Sequence, residues 1–132
     1  MDVMTGFHRS NIALLLVWGV IFHRSLLAQQ APTVDGSPPD FATQVKPILQ
    51  AACYDCHGPK HKKSSYRLDV RAVAFEGGDF GQAAIVPGKA KESPLFRYLS
   101  GAEKELQMPP ADSGKPSLTA EQIALIKNWI DA

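Results

Sequence analysis

The chain has 132 residues, a formal net charge of +1 and a hydrophobic fraction of 45%. That length suits one small domain, and a nearly neutral chain gives no electrostatic reason to expect a nucleic-acid partner. With two cysteines in all, the chain cannot supply the four cysteines of one common type of structural zinc site.

Residues 1–28 are predicted to be a signal peptide. His8 and Arg9 precede an apolar run of 11 residues, Ile12 to Phe22, which is shorter than the roughly 20 residues that span a bilayer. Ala28 is a small residue suited to cleavage. We therefore expect an exported protein, periplasmic or otherwise extracytoplasmic, that is membrane-bound only if the leader stays uncleaved.

The folded domain is predicted over residues 40–132, after a flexible lead-in over residues 29–39 that is rich in proline. Asp40 is a plausible N-cap for the first helix. Apolar residues at helical spacing follow at Phe41, Val45, Leu49 and Ala52. Because Pro47 lies inside this pattern, we expect a kink or two short helices.

The segment Cys53-Tyr54-Asp55-Cys56-His57 comes next, with the C-x-x-C-H spacing that attaches haem c. Each thiol can add to one vinyl group of the macrocycle, and the adjacent histidine can then serve as the proximal iron ligand. The motif therefore predicts one covalent haem c bound through Cys53 and Cys56, with His57 on the iron.

Three other interpretations of the cysteine pair were weighed. A thioredoxin-like redox pair needs a βαβ context, which the surrounding sequence lacks. A zinc site that used His57 or His61 would have no third cysteine. A disulfide is compatible with export, but it would close too small a ring to remove much chain entropy. Haem c is favoured, and the disulfide and zinc remain the alternatives.

After the motif, the sequence predicts loops and two further helices. Gly58 and Pro59 end the motif helix, and residues 60–65 form an exposed loop whose lysines are read as a solvated surface rather than a docking rim. Glycine and proline punctuate residues 66–92, and long stretches of this segment are predicted to be loop wrapped around the cofactor.

The third and last helices have clear start signals. Ser93 is a predicted N-cap, with Pro94 at the first helical position and Gly101 at the end. Thr119 and Gln122 form a predicted capping box for the last helix. The apolar face of that helix is Ile123, Ile126, Trp129 and Ile130, with the tryptophan expected to anchor it against the first helix.

Met108 is the predicted sixth iron ligand. Outside the leader, the other candidate is His61, which lies only four residues after His57 and cannot easily reach the opposite face of the iron. The two prolines after Met108 stiffen the chain and keep the methionine backbone extended. The alternative is a methionine that fills a gap in the core.

Taken in order, these residues resemble the planctomycete-type cytochrome c domain, a relative of class I cytochromes c. The matching segments, which span about residues 40–132, are Phe41 to Leu49, Cys53 to Gly58, Arg67-Leu68-Asp69, Gly77-Gly78, Ile85 to Gly88, Ser93-Pro94-Leu95, Met108-Pro109-Pro110 and Leu118 to Ile130. The chain departs from the pattern at Ser64-Ser65-Tyr66, where the family tends to have glycines and a leucine.

The resemblance implies a small all-α domain with long loops around a covalent haem and His/Met ligation, carried here by His57 and Met108. Such domains usually stand at the N-terminal end of larger exported proteins. The chain is therefore also expected to be the N-terminal part of a longer protein, or to associate with larger exported domains.

Two functions fit these residues. In the first, the domain is a one-electron carrier between redox partner proteins and catalyses nothing itself, even where it serves a larger oxidoreductase. Arg67 is then a candidate for pairing with a haem propionate, and an exposed arginine is the alternative. In the second, the protein is a haem enzyme, or a peroxide or gas sensor, with an open distal site. Iron ligation by Met108 discriminates between the two.

Overall fold

A computed structural model describes residues 36–132, so the predicted signal peptide and most of the lead-in lie outside the described residues. The helices are α1 (Lys46–Ala52), α2 (Tyr54–His57), α3 (Arg71–Glu76), α4 (Pro94–Leu99) and α5 (Ala120–Asp131). A π-helical turn and three 3₁₀ turns accompany them at Phe41–Val45, Lys63–Ser65, Ala90–Glu92 and Lys104–Leu106. This part of the chain contains no strand, only one isolated bridge between His57 and Lys62, which confirms the all-α class. None of its helices is long and apolar enough to cross a membrane.

The first helical region is divided at the proline, as predicted. Asp40 caps it, because Thr43 N–H donates to Asp40 Oδ1 at 2.8 Å. The π-helical turn ends at Val45, and α1 then begins with Pro47 in its first turn. At that position the missing proline N–H has no intrahelical acceptor to lose, so the chain accommodates Pro47 by starting a new helix.

Residues 66–92 are mostly loop, as predicted, but they also contain α3, which the sequence did not predict. No side chain caps the start of this helix at Val70, and its six residues offer little periodicity. Tertiary contacts hold it instead. Tyr66 O–H donates to the Ala74 carbonyl at 3.0 Å, and the Phe75 ring meets the Trp129 ring edge-on with centroids 6.5 Å apart. The contacting residues, Tyr66 and Trp129, lie outside the helix. The sequence of the helix alone therefore did not predict it.

The core lies between α1, α4 and α5. Val45, Leu49 and Ile126 are at most 1% exposed, and Leu95, Leu99 and Ile130 are also buried. The Trp129 ring packs on the Phe41 ring with centroids 5.2 Å apart, so the predicted anchor between the first and last helical regions is confirmed.

The caps of the two later helices differ in outcome. Ser93 does precede α4, but its side chain makes no capping bond. It is fully buried, and its Oγ accepts from Val86 N–H at 2.9 Å and donates to the Lys89 carbonyl at 3.0 Å. The prediction that the Ser93 side chain caps α4 is therefore wrong, whereas the predicted start of the helix is confirmed. The capping box of Thr119 and Gln122 on α5 is present as predicted.

Candidate haem site

The motif helix α2 places Cys53 and His57 one helical turn apart. The N–H groups of Cys56 and His57 donate to the Cys53 carbonyl at 3.1 and 2.8 Å, which closes this turn. The helix ends at Gly58, where any Cβ would overlap the carbonyl oxygen of Tyr54. The predicted helix stop at Gly58 is therefore confirmed, and it leaves Cys53 and His57 facing one side.

Cys53 and His57 line a largely apolar cavity that is partly open to solvent. Met108 lies in the wall of the same cavity. The other lining residues come from the loop after α2, from the segment after α3 and from α4: Ser64, Tyr66, Leu68, Gly77, Gly78, Phe80, Gln82, Ala84, Pro94, Leu95, Tyr98 and Leu99. Cys56 is half-buried and lies outside this lining.

The imidazole of His57 lies in the cavity wall. One of its ring nitrogens, Nδ1, is buried and has no hydrogen-bond partner of normal geometry among residues 36–132. Burial lowers the pKa of His57, since desolvation disfavours the charged ring. The neutral imidazole is the form that binds metals, so this side chain fits an axial haem ligand.

The two cysteines are free thiols. Burial raises the pKa of Cys53 to about 12, with the neighbouring Cys56 as a second cause, so Cys53 stays protonated at neutral pH. Residues 36–132 hold no cluster of three or more His, Cys, Asp or Glu side chains that could bind a metal ion. Within this part of the chain, protein side chains alone do not assemble the zinc site that the sequence left open.

A tight loop forms one wall of the cavity. Asp79 N–H donates to the Ser64 carbonyl at 2.9 Å, and a Cβ on Gly78 would overlap that same carbonyl oxygen. Glycine is thus required at position 78 by close approach. Sequence reasoning treated Gly77-Gly78 only as punctuation and a family match, because Ser64, which contacts Gly78, lies 14 residues upstream.

The other predicted residues lie elsewhere. Arg67 makes two hydrogen bonds to Asp69, from Nε at 3.0 Å and from Nη2 at 2.5 Å, and it lies outside the cavity lining. Its contact with a propionate stays a prediction. His61 and the lysines of the 60–65 loop are exposed, which confirms the predicted exposure of that loop.

Sequence reasoning missed one residue that touches the site, Tyr66. Its ring packs edge-on against the His57 ring, with centroids 5.5 Å apart and planes at 64°. The available signal was its place in the Ser64-Ser65-Tyr66 departure from the family pattern. That signal marked an unusual residue without indicating what it contacts.

Comparison with known families agrees with this geometry. Residues 53–112 match the family model described as Planctomycete cytochrome C, a segment that begins at Cys53 and includes both His57 and Met108. No curated protein and no solved structure matches the chain. Over this segment the chain is similar to the planctomycete cytochrome C family, which confirms the predicted resemblance.

Proposed function

We propose that the domain is a one-electron carrier whose haem c is attached through Cys53 and Cys56 and ligated by His57 and Met108. The observation that carries the proposal is the shared cavity. His57 and Met108 are 51 residues apart in the chain, yet both line the largely apolar space that begins at the C-x-x-C-H motif.

Haem c would supply an iron that exchanges one electron between its ferrous and ferric forms. The roles of the protein residues follow from their chemistry. His57 offers a neutral nitrogen, and Met108 offers a soft thioether, which favours the ferrous form and raises the potential. With both axial positions filled by the protein, no site is left for a substrate on the iron, so the domain itself would catalyse no reaction.

Two contacts and two stiff proline residues support a fixed position for Met108. Its N–H donates to the Tyr98 carbonyl at 3.1 Å, which ties the methionine to α4. The prolines at 109 and 110 stiffen the chain that follows. Further along the same loop, Lys115 forms an ion pair with Asp55 between the two cysteines. A thioether held by such a loop can bind iron at a small entropic cost.

We also infer an exported protein that exchanges electrons with redox partner proteins, because haem c chemistry and the predicted leader agree on that location. Mass spectrometry of the secreted chain should find a mature N-terminus at Gln29. A chain that keeps residues 1–28 in the cytoplasm would contradict this inference.

Ligation by Met108 is tested with protein matured by a haem-attachment apparatus. Haem should stay with the polypeptide on acid–acetone extraction. The oxidised protein should be low-spin, with the weak far-red band of a sulfur–iron bond. Met108→Ala should abolish that band, open the iron to added imidazole and lower the midpoint potential, because a soft donor to ferrous iron has been removed.

His61→Ala is the matched control, since it removes the other candidate ligand from an exposed position. It should leave the band and the potential unchanged. A far-red band that survives Met108→Ala, or is absent from the wild type, would reject Met108 as ligand and favour the haem enzyme or sensor with an open distal site.

A further inference from the structure

Tyr66 is held between the proposed iron ligand and helix α3. Its ring edge packs against the imidazole of His57 at a centroid distance of 5.5 Å, an arrangement that aromatic rings favour. The same side chain lines the cavity. It therefore touches both the proposed ligand and the space for the cofactor.

Two hydrogen bonds fix Tyr66 in this place. Its O–H donates to the Ala74 carbonyl in α3 at 3.0 Å, and its N–H donates to the Lys63 carbonyl at 3.1 Å. Burial raises the pKa of the Tyr66 hydroxyl, so the group stays protonated and remains a donor. A ring fixed at both its backbone and its hydroxyl has little freedom to rotate.

The imidazole of His57 is only loosely held by hydrogen bonds. A histidine that binds a metal commonly donates its second ring N–H to a carbonyl or carboxylate, which fixes the rotation of the ring. Burial lowers the pKa of His57, and backbone groups of Tyr66 and Lys63 near the ring oppose that shift, but Nδ1 has no partner of normal hydrogen-bond geometry among residues 36–132. The edge contact with the Tyr66 ring is therefore a further restraint on the ring plane.

We propose that Tyr66 is a positioning residue for His57, and that its ring, fixed to α3 through the hydroxyl, sets the rotation of the imidazole plane. The inference rests on the proposed ligation of haem iron by His57. It gives α3 a role at the site, because the helix provides the carbonyl that holds the tyrosine.

The test uses the haem-loaded, oxidised protein and its proton NMR spectrum. The order and spread of the haem methyl resonances report the orientation of the axial imidazole plane, which a purely structural role for Tyr66 would not change. Tyr66→Leu keeps apolar volume but removes the ring and the hydroxyl, whereas Tyr66→Phe removes the hydroxyl alone. Phe96→Leu is the matched control, because Phe96 is a half-buried aromatic residue that packs on the core and lies outside the cavity lining.

We expect Tyr66→Leu to shift the methyl pattern, Tyr66→Phe to give a smaller shift in the same direction, and Phe96→Leu to match the wild type. A wild-type pattern in Tyr66→Leu, or an equal shift in Phe96→Leu, would overturn the inference. Should Tyr66→Leu fail to mature, Tyr66→Phe decides, and a pattern identical to the wild type would overturn it. Wild-type protein without covalent haem would overturn the proposed function as well, whereas unchanged Tyr66 variants with haem in place would overturn only this inference.

Discussion

Two neighbouring serines, of which Ser64 lines the cavity, adopt backbone conformations that glycine prefers. Ser64 has φ 54° and ψ 34°, and Ser65 has φ 55°. The left-handed region costs an L-residue roughly 1–2 kcal/mol. The loop keeps this geometry because the Ser64 carbonyl accepts from Asp79 N–H and lies close against Gly78. The chain thus departs from the family's glycines in sequence but retains a glycine-like backbone.

Ser65→Gly should therefore stabilise the haem-loaded protein by up to about 1 kcal/mol. It removes the strain of a positive φ, and this gain is partly offset because glycine loses more conformational freedom on folding. Denaturant unfolding measures the difference. Ser117→Gly is the matched control, since Ser117 is exposed and is not among the described residues with positive φ. It should be neutral or destabilising. A lower unfolding midpoint for Ser65→Gly than for the wild type would contradict the strain argument.

At the scale of elements, the C-terminal end of α5 is fastened to the turn before α4 by one carboxylate. Asp131 Oδ1 accepts from Ala90 N–H at 2.7 Å, and Oδ2 accepts from Lys127 Nζ at 2.6 Å. Because Ala90 and Asp131 are 41 residues apart, this contact joins distant parts of the chain. These bonds lower the pKa of Asp131, with Lys127 as the largest cause and the Ala90 N–H as the next.

Asp131→Asn should reduce the melting temperature at pH 7, and the difference should shrink in acid. A carboxyl whose pKa is lower in the folded state stabilises the fold above its unfolded pKa, and that stability is lost as the pH falls through the folded pKa. The window lies below the ordinary value of 3.8. Thermal unfolding of both proteins from pH 7 to about pH 3 measures the effect.

Asp112→Asn provides the control for charge alone, because Asp112 is exposed in the loop before α5 and forms none of the described ion pairs. It should melt like the wild type throughout. If the melting temperatures of Asp131→Asn and the wild type differ by the same amount at every pH, the charge of the Asp131 carboxylate does not stabilise the end of α5.

At the scale of the whole molecule, the buried apolar side chains form one cluster, part of which also lines the cavity. Leu68, Leu95 and Leu99 are buried residues that also line the cavity. Small domains bury limited surface of their own and often need an added staple. A covalent macrocycle in this space would supply apolar contacts to these three leucines. We therefore expect folding to depend on the haem.

Replacement of both thiols, Cys53→Ala with Cys56→Ala, should leave a largely disordered apoprotein. Far-ultraviolet circular dichroism should show loss of most helix, and heating should give no cooperative transition. The control is wild-type chain produced without haem attachment, which should behave like the double variant if the missing cofactor is the cause. Full helix content with a cooperative melt in the double variant would reject this dependence.

The sequence by itself determined the features that depend on neighbouring residues. The C-x-x-C-H spacing, the stop at Gly58, the division at Pro47 and the capping box of Thr119 and Gln122 were all readable, because their geometry is set within five residues. The apolar spacing of the last helix likewise indicated its buried face and the anchor role of Trp129. Met108 was singled out by elimination and by its prolines, and the structure places it in the same cavity as His57.

Tertiary structure decided what depends on distant partners. Helix α3 exists because Tyr66 and Trp129 contact it, not because its own residues cap or repeat. Ser93 turned its hydroxyl away from the helix that it precedes to satisfy Val86 and Lys89, since a fully buried hydroxyl must find partners where the fold provides them. The contacts of Ser64 with Gly78 and of Tyr66 with His57 also depend on residues that are distant in the sequence. Such contacts form only when loops close around the cavity, and no local pattern in the sequence records that closure.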